Sequence, residues 1–295
     1  MHILLTGATG FIGGALVPRL LAAGHTLTVY SRQYRANQTR LAYIDTIEKL
    51  DGLAPIDAVI NLAGESLAAK RWTKAYKKRL LSSRIDLTDQ LIETFASYGH
   101  TPAVFLSASA IGWYGNRDTI KLDEVSSGGE GFAADLCEQW EASAQRAKDK
   151  LQSRVITLRL GVVLDRSGGA WPQLILPFKL GLQNWPGSGH QVLSWVHRKD
   201  AVGAIEFCLA SDLIGAVNVT APLPVTYREL AAAIASHKRL WLTAPIPAWA
   251  MRIMLGEMAD ELLLSGQYVL PNRLTQAGFE FECADIETAL SALLR

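Results

Sequence analysis

Residues 2–24 read HILLTGATGFIGGALVPRLLAAG, and this stretch decides the fold. It opens with a short apolar run that ends at a glycine and is too brief for a helix, which indicates a buried strand. Three glycines at intervals of three residues follow, and leucines then recur at helical spacing as far as Gly24. The next apolar run, TLTVYS at 26–31, predicts a second strand. A glycine triplet between a strand and a helix in this order predicts dinucleotide binding.

The three glycines have separate roles in this prediction. Gly7 permits the tight turn, Gly10 lets the backbone approach a pyrophosphate, and Gly13 allows the helix to pack closely on the strand. Free N–H groups at the start of the helix would then point at the phosphates. The predicted cofactor contacts in this turn are Gly7, Thr9, Gly10, Phe11, Ile12 and Gly13.

The end of the second predicted strand indicates which dinucleotide is bound. Chains that select NAD usually carry an Asp or Glu there for the ribose 2′-hydroxyl, but this chain has Ser31 and Arg32, with Arg35 and Arg40 close behind. A carboxylate would repel a 2′-phosphate, whereas a guanidinium and a hydroxyl can bind one. We therefore expect NADP (or NADPH) in preference to NAD. The alternative is that Arg32 is only a solvated residue at the edge of the sheet.

Strands and helices alternate beyond the second strand. Strands are predicted at 57–62, 103–108 and 154–160, and helices at 72–98 and 132–148. This alternation predicts an α/β fold, namely a doubly wound parallel Rossmann sheet with a smaller C-terminal substrate lobe. The segment before the strand at 57–62 is short for a complete crossover helix, so we expect a trimmed third unit.

The composition and pattern of the sequence change near residue 165. The stretch that starts at residue 166, RSGGAWPQLILPFKLGLQNWPGSG, is rich in Gly, Pro and Trp and does not alternate. We therefore assign residues 1–165 to an NADP-binding Rossmann domain and residues 166–295 to a substrate lobe with a C-terminal helical extension. A strand near 216–219 is expected to return to the main sheet. Further helices are predicted at 199–210, at 226–237, on both sides of Gly256 and at 284–294.

The composition argues against several classes of protein. Apolar residues make up 49% of the 295 residues and charged residues 19%, which is typical of a globular protein. A net charge of +1 gives no field suited to nucleic acid. Cys137, Cys208 and Cys283 show no paired spacing, so we expect reduced core residues and no metal site. With no signal-peptide pattern and no run of ~18 apolar residues, we expect a cytoplasmic protein without a membrane partner.

Several motifs resemble those of a known superfamily. TGATGFIG at 6–13, NLAG at 61–64, SASAIGWYG at 107–115 and SWVHRKD at 194–200 resemble the extended short-chain dehydrogenases, also called NAD-dependent epimerases/dehydratases, which epimerise or dehydrate nucleotide sugars. KRWT, SSRIDLT, GSGHQVLSWVH and LGEMADELLLSGQYVLPNRLTQAGFEF are similar to its atypical branch, the YfcH-like epimerase family. The likeness runs from residue 1 to the last predicted helix.

The resemblance implies a catalytic Tyr, with a Lys four residues later, on the helix that begins with GFAADLCEQWE at 131–141. In that superfamily the Tyr transfers a proton while hydride moves, and the Lys lowers its pKa. This chain has Phe132 and Leu136 at those positions, and neither can transfer a proton. Asp135 and Glu138, the nearest polar residues, are expected to be solvated.

Three residues remain as catalytic candidates, namely Ser109, Tyr114 and His197. Ser109 matches the superfamily's hydroxyl on the preceding strand. Tyr114 follows that strand, and its alternative role is an aromatic wall of the pocket. His197 has an intrinsic pKa suited to proton exchange. The resemblance equally implies a structural His there, before a helix begun by Asp200.

The resemblance also implies further binding residues. Arg84 stands where relatives have an active-site Asn, which implies contact with the cofactor or a bound anion. Relatives also have an Arg near Leu193 that binds a sugar nucleotide's diphosphate, and its absence here counts against that substrate class. The remaining cofactor candidates are Leu62, Ala63, Gly64, Gly161 and Val162, and the substrate candidates are Gln191, Ser194 and Trp195.

The stretch KRWTKAYKKR predicts a basic helix face and an apolar one. Lys70, Lys74, Lys77 and Lys78 share the first face, and Trp72, Tyr76 and Leu80 share the second. We interpret the basic face as solvated, with an anionic partner as the alternative.

Three functions are compatible with these residues. The first is an NADP(H)-dependent oxidoreductase or epimerase that acts on a small polar carbonyl or hydroxyl compound, with an unassigned proton donor. The second is a regulatory or redox-sensing protein that binds NADP(H) without turnover, which the missing Tyr and Lys favour. The third is a nucleotide-sugar epimerase or dehydratase with rearranged residues. The expected partner is a small-molecule substrate, and a homodimer is left open.

Overall fold

The structure, a computed structural model, describes residues 1–33, 35–238 and 240–294. The strands of its central sheet are β1 (His2–Thr6), β2 (Thr26–Tyr30), β3 (Leu41–Ile44), β4 (Ala58–Asn61), β5 (Val104–Ala110), β6 (Arg154–Leu160) and β7 (Gly215–Val219). All seven run parallel, in the order β7-β6-β5-β4-β1-β2-β3. Because the chain starts near the middle and extends the sheet in both directions, the predicted doubly wound α/β fold is confirmed.

Helices cover both faces of this sheet. In the described residues they are α1 (Gly13–Ala22), α2 (Lys74–Ser82), α3 (Ile85–Ser97), α4 (Phe132–Leu151), α5 (Trp171–Lys179), α6 (Arg198–Ala210), α7 (Tyr227–Ser236), α8 (Ala248–Leu255), α9 (Glu257–Leu262), α10 (Asn272–Gln276) and α11 (Ile286–Leu293). Successive residues of β1 point to opposite faces. Ile3 and Leu5 belong to the core that includes α1 and α6, and Leu4 belongs to the core that includes α3 and α4.

The third unit is trimmed, as predicted. The described residues between β2 and β3 contain no helix, and β3 pairs only with β2 at one edge of the sheet. A 3-10 helix at Ile47–Leu50 takes the place of a full crossover helix before β4.

The prediction of one helix over 72–98 was wrong, because the chain breaks between α2 and α3. The side chains of Ser83 and Arg84 both donate to the carbonyl of Leu80, at 3.1 Å each. Arg84 has φ −113° and ψ −56°, and its N–H bonds three residues back, to Leu81, instead of four. The side chains thus compete with the backbone for helical carbonyls, which ends α2 and starts α3 in a new direction.

The C-terminal part forms a second core beside the sheet. Trp171, Trp195 and Tyr227 are buried in it together. The predicted return strand is β7, which pairs with β6. The predicted helix break falls at Gly256, between α8 and α9. Two small sheets link the two parts: Lys121–Leu122 with Tyr268–Val269, and Val162–Asp165 with Trp195–His197 and Gly168–Gly169. Two further pairs lie within the C-terminal part: Leu182–Gln183 with Leu242–Thr243, and Val192–Leu193 with Val225–Thr226.

None of the helices in the described ranges combines the length and the apolar character needed to cross a lipid bilayer.

Candidate functional site

The glycine turn after β1 is closely packed backbone. Gly7 has φ +70°, and a Cβ atom added to it would lie 2.7 Å from the carbonyl carbon of Leu62. A Cβ atom on Gly13 would lie 2.7 Å from the Cα atom of Ala8. Ile12, at the N-cap of α1, makes no side-chain hydrogen bond. The N–H groups of Phe11, Ile12 and Gly13 make no hydrogen bond within the described residues, whereas that of Gly14 already donates to the carbonyl of Gly10. The first three therefore remain available to a phosphate at the carboxyl edge of the sheet.

Hydrogen bonds join the ends of β1 and β4 beside this turn. The hydroxyl of Thr6 donates to Asn61 Oδ1 at 2.6 Å and accepts from the N–H of Ala63 at 3.1 Å. Asn61 in turn donates to the Thr88 hydroxyl at 2.8 Å, which ties the strand to α3. These bonds hold residues 62–64 next to the glycine turn, where their predicted role requires them.

A glycine hairpin from the C-terminal lobe covers the other side of the turn. The hairpin contains Gly168 and Gly169, and the ring of Phe11 packs against both. A Cβ atom added to Gly168 would lie 2.9 Å from that ring, and one added to Gly169 would lie 2.6 Å from it. The Arg198 guanidinium lies 5.1 Å from the same ring centroid and pairs with Asp165 at 3.1 Å. The predicted cofactor turn is therefore enclosed between two parts of the chain.

Gly161 and Val162 lie at the end of β6, on the same edge. Val162 donates its N–H to the carbonyl of Ser194 at 2.9 Å, and a Cβ atom on Gly161 would lie 2.8 Å from that carbonyl oxygen. The end of β6 therefore packs directly against the segment of the C-terminal lobe that contains Ser194.

The end of β2 suits a phosphate better than a hydroxyl. The Ser31 hydroxyl accepts the N–H of Gln33 at 3.1 Å, and the exposed Arg32 has no carboxylate within 4.0 Å among the described residues. No acidic residue occupies the position at which NAD-selective chains carry one. The residues present therefore fit NADP.

Arg84 lies beneath the loop that follows β4. Its guanidinium donates to the carbonyl of Glu65 at 2.8 Å, lies 5.0 Å from the Trp140 ring centroid, and leaves no room for a side chain at Gly64. Burial lowers its pKa, and only 7% of the residue is exposed. Its position supports the loop at the cofactor edge, and contact with the cofactor itself stays a prediction.

Ser109 and Tyr114 are buried and bonded to other side chains. The Ser109 hydroxyl donates to Glu141 at 2.6 Å, and Arg159 donates to both oxygens of that carboxylate at 2.8 and 2.9 Å. The Tyr114 hydroxyl donates to Asn218 Oδ1 at 2.7 Å and accepts from Arg159 at 3.0 Å. These five side chains form the buried polar network.

This burial argues against proton transfer by Tyr114. The residue is fully buried, and burial raises its pKa. For Arg159, burial acts to lower the pKa, but the Glu141 carboxylate outweighs it and the pKa is raised. The network therefore keeps its ion pair charged and fixes both hydroxyls, because buried polar groups are costly unless they are paired.

Apolar packing replaces the Tyr and Lys of relatives. Leu136 is buried with Trp72, Tyr76 and Leu80, as the predicted apolar face of α2 requires. The ring of Phe132 meets that of Trp72 edge to face, with centroids 5.0 Å apart. The positions that would carry proton transfer are therefore part of a small core.

Of two neighbouring predictions about charged residues, the first is confirmed and the second is confirmed for three of four lysines. Asp135 and Glu138 are exposed on the outer side of α4. Lys70, Lys74 and Lys78 are exposed as well, whereas Lys77 is half-buried and pairs with Glu257.

His197 is the N-cap of α6. Its Nδ1 accepts the N–H of Lys199 at 3.2 Å, and burial lowers its pKa, so the neutral ring is favoured. Asp200 accepts the N–H groups of Glu282 and Cys283 at 2.8 and 3.0 Å. This geometry matches the structural alternative for His197.

The side chains of the three substrate candidates are also hydrogen-bonded or buried within the fold. Ser194 donates to the carbonyl of Gln267 at 2.6 Å and accepts the N–H of Val269 at 2.8 Å. Gln191 donates to the carbonyls of Pro186 and Leu263 at 2.9 and 2.8 Å. Trp195 is fully buried in the core of the lobe. The interpretation of these side chains as a pocket lining is therefore not supported.

A cleft lies instead between the segment after β5, the start of α4 and the pair α8 and α9. Its volume is about 360 Å³. The Glu261 carboxylate closes one wall and accepts the N–H groups of Phe132 and Ala133, at 2.8 Å each. The residues that line it are Gly112, Gly115, Asn116, Glu130, Ala133, Arg252, Asp260, Glu261, Leu264, Ser265 and Gln267.

The sequence reasoning named none of these lining residues as site residues. Glu261 reaches α4 across 129 residues of chain, so no local spacing could have indicated it. The nearest usable signal was Gly131, which precedes the helix with φ +107° and leaves space for the Glu261 carboxylate.

No group of His, Cys, Asp and Glu side chains suited to a metal ion occurs in the part of the chain that the structure describes.

Comparison with known proteins agrees with this architecture. Residues 3–219 match the model of the NAD dependent epimerase/dehydratase family, and residues 246–293 match a domain of unknown function, DUF1731. The chain is 38% identical to an epimerase family protein of Mycobacterium bovis over 98% of this chain and 96% of that one. It is 35% identical to the epimerase family protein YfhF of Bacillus subtilis, over 100% and 98% of the two chains.

Solved structures give the same result. The human epimerase family protein SDR39U1, crystallised with NADPH, superimposes with a TM-score of 0.87 at 32% identity, covering 99% of both chains. A nucleoside-diphosphate sugar epimerase of Corynebacterium glutamicum gives a TM-score of 0.79 at 27% identity, covering all of this chain and 58% of the other. The superfamily expected from the motifs is confirmed, and the chain belongs to the NAD dependent epimerase/dehydratase family.

Proposed function

We propose that this protein binds NADP(H) and uses it on a small polar carbonyl or hydroxyl compound, as an oxidoreductase or an epimerase. The observation that carries the proposal is the backbone cradle from Gly7 to Gly13, together with Ser31 and Arg32 where a carboxylate would select NAD. The NADPH in the human relative, which is similar over nearly the whole chain, supports the same cofactor.

In this proposal, separate residues bind the cofactor and the substrate. The N–H groups of Phe11, Ile12 and Gly13 bind the pyrophosphate, and Ser31 with Arg32 binds the 2′-phosphate. When bound, NADP(H) supplies a hydride donor or acceptor. The cleft beside α4 holds the substrate, because it lies at the carboxyl end of β5 and presents amide, hydroxyl and carboxylate groups.

Glu130 is the proposed proton-exchanging group. Of the three carboxylates in the cleft, that of Glu261 bonds two N–H groups and that of Asp260 pairs with Arg252 at 2.8 Å. Glu130 makes no side-chain hydrogen bond within the described residues, and it stands two positions before Phe132, where relatives carry their Tyr. A free carboxylate in this place can take or give a proton.

The cofactor assignment is tested by Arg32→Ala. This variant should bind NADPH about 10- to 100-fold more weakly, because a charge-assisted hydrogen bond is lost, and should bind NADH as before. Lys148→Ala, which removes an exposed cation in the last turn of α4, is the control and should change neither affinity. Equal losses for NADPH and NADH in Arg32→Ala would overturn the assignment.

Turnover is tested on a panel of small carbonyl and hydroxyl compounds. Cofactor absorbance reports net oxidation or reduction and also the transient reduction of the cofactor during an epimerisation, and chiral chromatography of the product identifies the epimer. Glu130→Gln should abolish the turnover that is found while leaving NADPH affinity unchanged. Full turnover in that variant would remove Glu130 from the proposal.

A second candidate is a protein that binds NADP(H) without turnover. The apolar packing of Phe132 and Leu136 favours it, as does the commitment of Ser109 and Tyr114 to the buried polar network. Tight NADPH binding with no turnover across the panel, together with a partner recovered only when cofactor is present, would support it over the first candidate.

A nucleotide-sugar epimerase is the weakest candidate. Leu193, which replaces the diphosphate-binding Arg of relatives, is buried in the core of the lobe. If calorimetry detects no binding of nucleotide sugars to the NADPH-loaded protein, this candidate is removed.

A further inference from the structure

The C-terminal lobe contains a second cavity, an apolar groove between α5, α7 and α8 with a volume of about 180 Å³. None of the described residues lines both this groove and the cleft beside α4. We name it the lobe groove. Its apolar walls include Leu174, Pro177 and Phe178 of α5, Leu230 and Ile234 of α7, and Met251 of α8.

The walls of the lobe groove are held in place by hydrogen bonds of the lobe itself. The Gln191 amide donates to the carbonyls of Pro186 and Leu263, two residues that line the groove. Ile246, on another wall, donates its N–H to the carbonyl of Trp185 at 2.8 Å. The groove is therefore preformed, and a ligand would not have to order its walls on binding.

Tyr227 supplies one polar group inside this apolar groove. The residue is only 5% exposed, and its hydroxyl makes no hydrogen bond within the described residues. That hydroxyl is not sealed from solvent, in contrast to the unbonded indole N–H groups of Trp185 and Trp195. Burial raises the pKa of Tyr227, so the hydroxyl stays protonated and can donate. A buried hydroxyl without a partner is costly, and the lobe groove is the space in which a partner can stand.

The lining of the lobe groove carries no charge among the described residues. Its other polar side chains are the amides of Gln173, which is exposed, and Asn184, which is half-buried. An ionised ligand would lose its hydration there and gain no ion of opposite charge. The electrostatics therefore favour an uncharged ligand.

The volume of the lobe groove limits the size of that ligand. In another protein, an engineered cavity of about 150 Å³ lined by Leu, Ile and Phe binds benzene. The slightly larger lobe groove therefore has room for one six-membered ring and a small substituent.

We propose that the lobe groove binds a small uncharged molecule of one ring, whose hydroxyl or carbonyl oxygen accepts a hydrogen bond from Tyr227. The ring packs against Phe178, Leu230 and Met251. Phenols and single-ring alcohols or ketones have this chemistry. This site is additional to the cofactor cradle and the substrate cleft of the proposed function.

The lobe groove and the cleft share one wall. On α8, Met251 lines the groove and the next residue, Arg252, lines the cleft. After α9, Leu263 lines the groove and Leu264 lines the cleft. A ligand in the lobe groove therefore contacts the wall of the cleft without touching a substrate.

The test is ligand-observed NMR titration of the full chain with phenol and with toluene, two rings of similar size. Both should bind to the wild type. In Tyr227→Phe, the ratio of phenol to toluene affinity should fall by about 3- to 10-fold, because only phenol loses a hydrogen bond. The variant removes a hydroxyl that has no partner in the described residues, so it should keep its fold. Tyr43→Phe, a half-buried tyrosine on β3, is the matched control and should leave the ratio unchanged.

A second variant blocks the lobe groove. Ala231 is buried on α7 and lines the groove, so Ala231→Leu should fill the space and weaken the binding of both rings by at least about 10-fold. Its affinity for NADPH should stay unchanged, which reports an intact fold. Benzoate should bind to the wild type at least about 10-fold more weakly than phenol, because its carboxylate would be buried without a partner.

The cleft is distinguished from the lobe groove by Glu130→Gln, which should bind phenol as the wild type does. Loss of phenol binding in that variant would place the ring in the cleft and overturn the proposal. A wild type that does not bind phenol, an unchanged affinity ratio in Tyr227→Phe, or full binding by Ala231→Leu would overturn it as well. None of these results depends on turnover, so they leave the proposed function untouched.

Discussion

The glycine turn after β1 and the region between β5 and α4 lie on the same edge of one sheet but are built in different ways. The turn is made by backbone within one short segment, and its constraints are the close contacts at Gly7 and Gly13. The second region is made by side chains from β5, β6, β7, α4 and α9. Cofactor binding is therefore encoded locally, whereas the surroundings of the reacting groups depend on contacts between distant parts of the chain.

The second region also shows how the fold is kept without the Tyr and Lys that the resemblance implies on α4. Phe132 and Leu136 join an apolar cluster, and the hydroxyl of Ser109 is held by Glu141. Substitutions there should therefore act first on stability. Substitutions in the glycine turn and at Arg32 should act first on cofactor affinity.

The largest stability loss is expected for Glu141→Gln. Removing one partner of a buried ion pair leaves the Arg159 charge uncompensated, which costs about 3–5 kcal/mol of unfolding free energy. Urea denaturation followed by circular dichroism measures it. Glu138→Gln, an exposed carboxylate on the same helix, is the control and should change the free energy by less than about 0.5 kcal/mol. Similar values for the two variants would show that the network does not hold this region together.

A somewhat smaller loss is expected for Leu136→Lys, which introduces the Lys that the resemblance to extended short-chain dehydrogenases implies at this position. The ammonium would enter the cluster of Trp72, Tyr76 and Leu80 without a partner, so the unfolding free energy should fall by about 2–4 kcal/mol. Glu138→Lys, two positions later on the exposed side of α4 and beyond its first turn, should be nearly neutral. A stable Phe132→Tyr/Leu136→Lys variant with new reductase activity would contradict the apolar description.

Glu261→Gln should have a moderate effect. Its carboxylate accepts two N–H groups at the start of α4, and the loss of a charged cap costs about 1 kcal/mol. Thermal unfolding measures the change. Asp260→Asn, which breaks an exposed ion pair on the same helix, should cost half as much or less. If Asp260→Asn proved the more harmful of the two, the capping role of Glu261 would have to be abandoned.

The smallest effect concerns pH and His197. Because burial lowers its pKa in the folded state, the unfolded chain binds more protons near and below the ordinary value of 6.5. The stability that the neutral ring contributes is therefore present above that pH and is lost as the pH falls through it. His197→Asn keeps a capping acceptor and should flatten the fall in melting temperature between about pH 7.5 and 5.5. An unchanged slope would mean that His197 is not a titrating residue.

The residues that were predicted correctly are those whose role depends on local pattern. The strand–turn–helix order placed Gly7 and Gly13, and strand spacing placed β1, β4, β5 and β6 to within a few residues. The break at Arg84 escaped prediction because side-chain bonds to the Leu80 carbonyl, not propensity, end α2.

The site residues whose predicted roles the structure does not support share a different cause. Tyr114 follows β5 as expected, but the 3-10 helix at Ile111–Tyr114 carries its ring inward to Asn218, which lies 104 residues further along the chain. Trp195 and Ser194 sit in a crossing segment that is buried on both sides, which alternation cannot reveal. The sequence also could not predict that Trp241 and Trp249 are exposed. A sequence shows that a residue is apolar, but it does not show whether other residues cover it.

The central claim is that the segment from β1 to the start of α1 is a cradle for NADP(H), and calorimetric titration of the purified wild type tests it most directly. The structure predicts one NADPH bound per chain, with NADH bound more weakly because Ser31 and Arg32 gain nothing from a 2′-hydroxyl. A folded protein that shows no heat of binding with either cofactor at any temperature tested would contradict the claim.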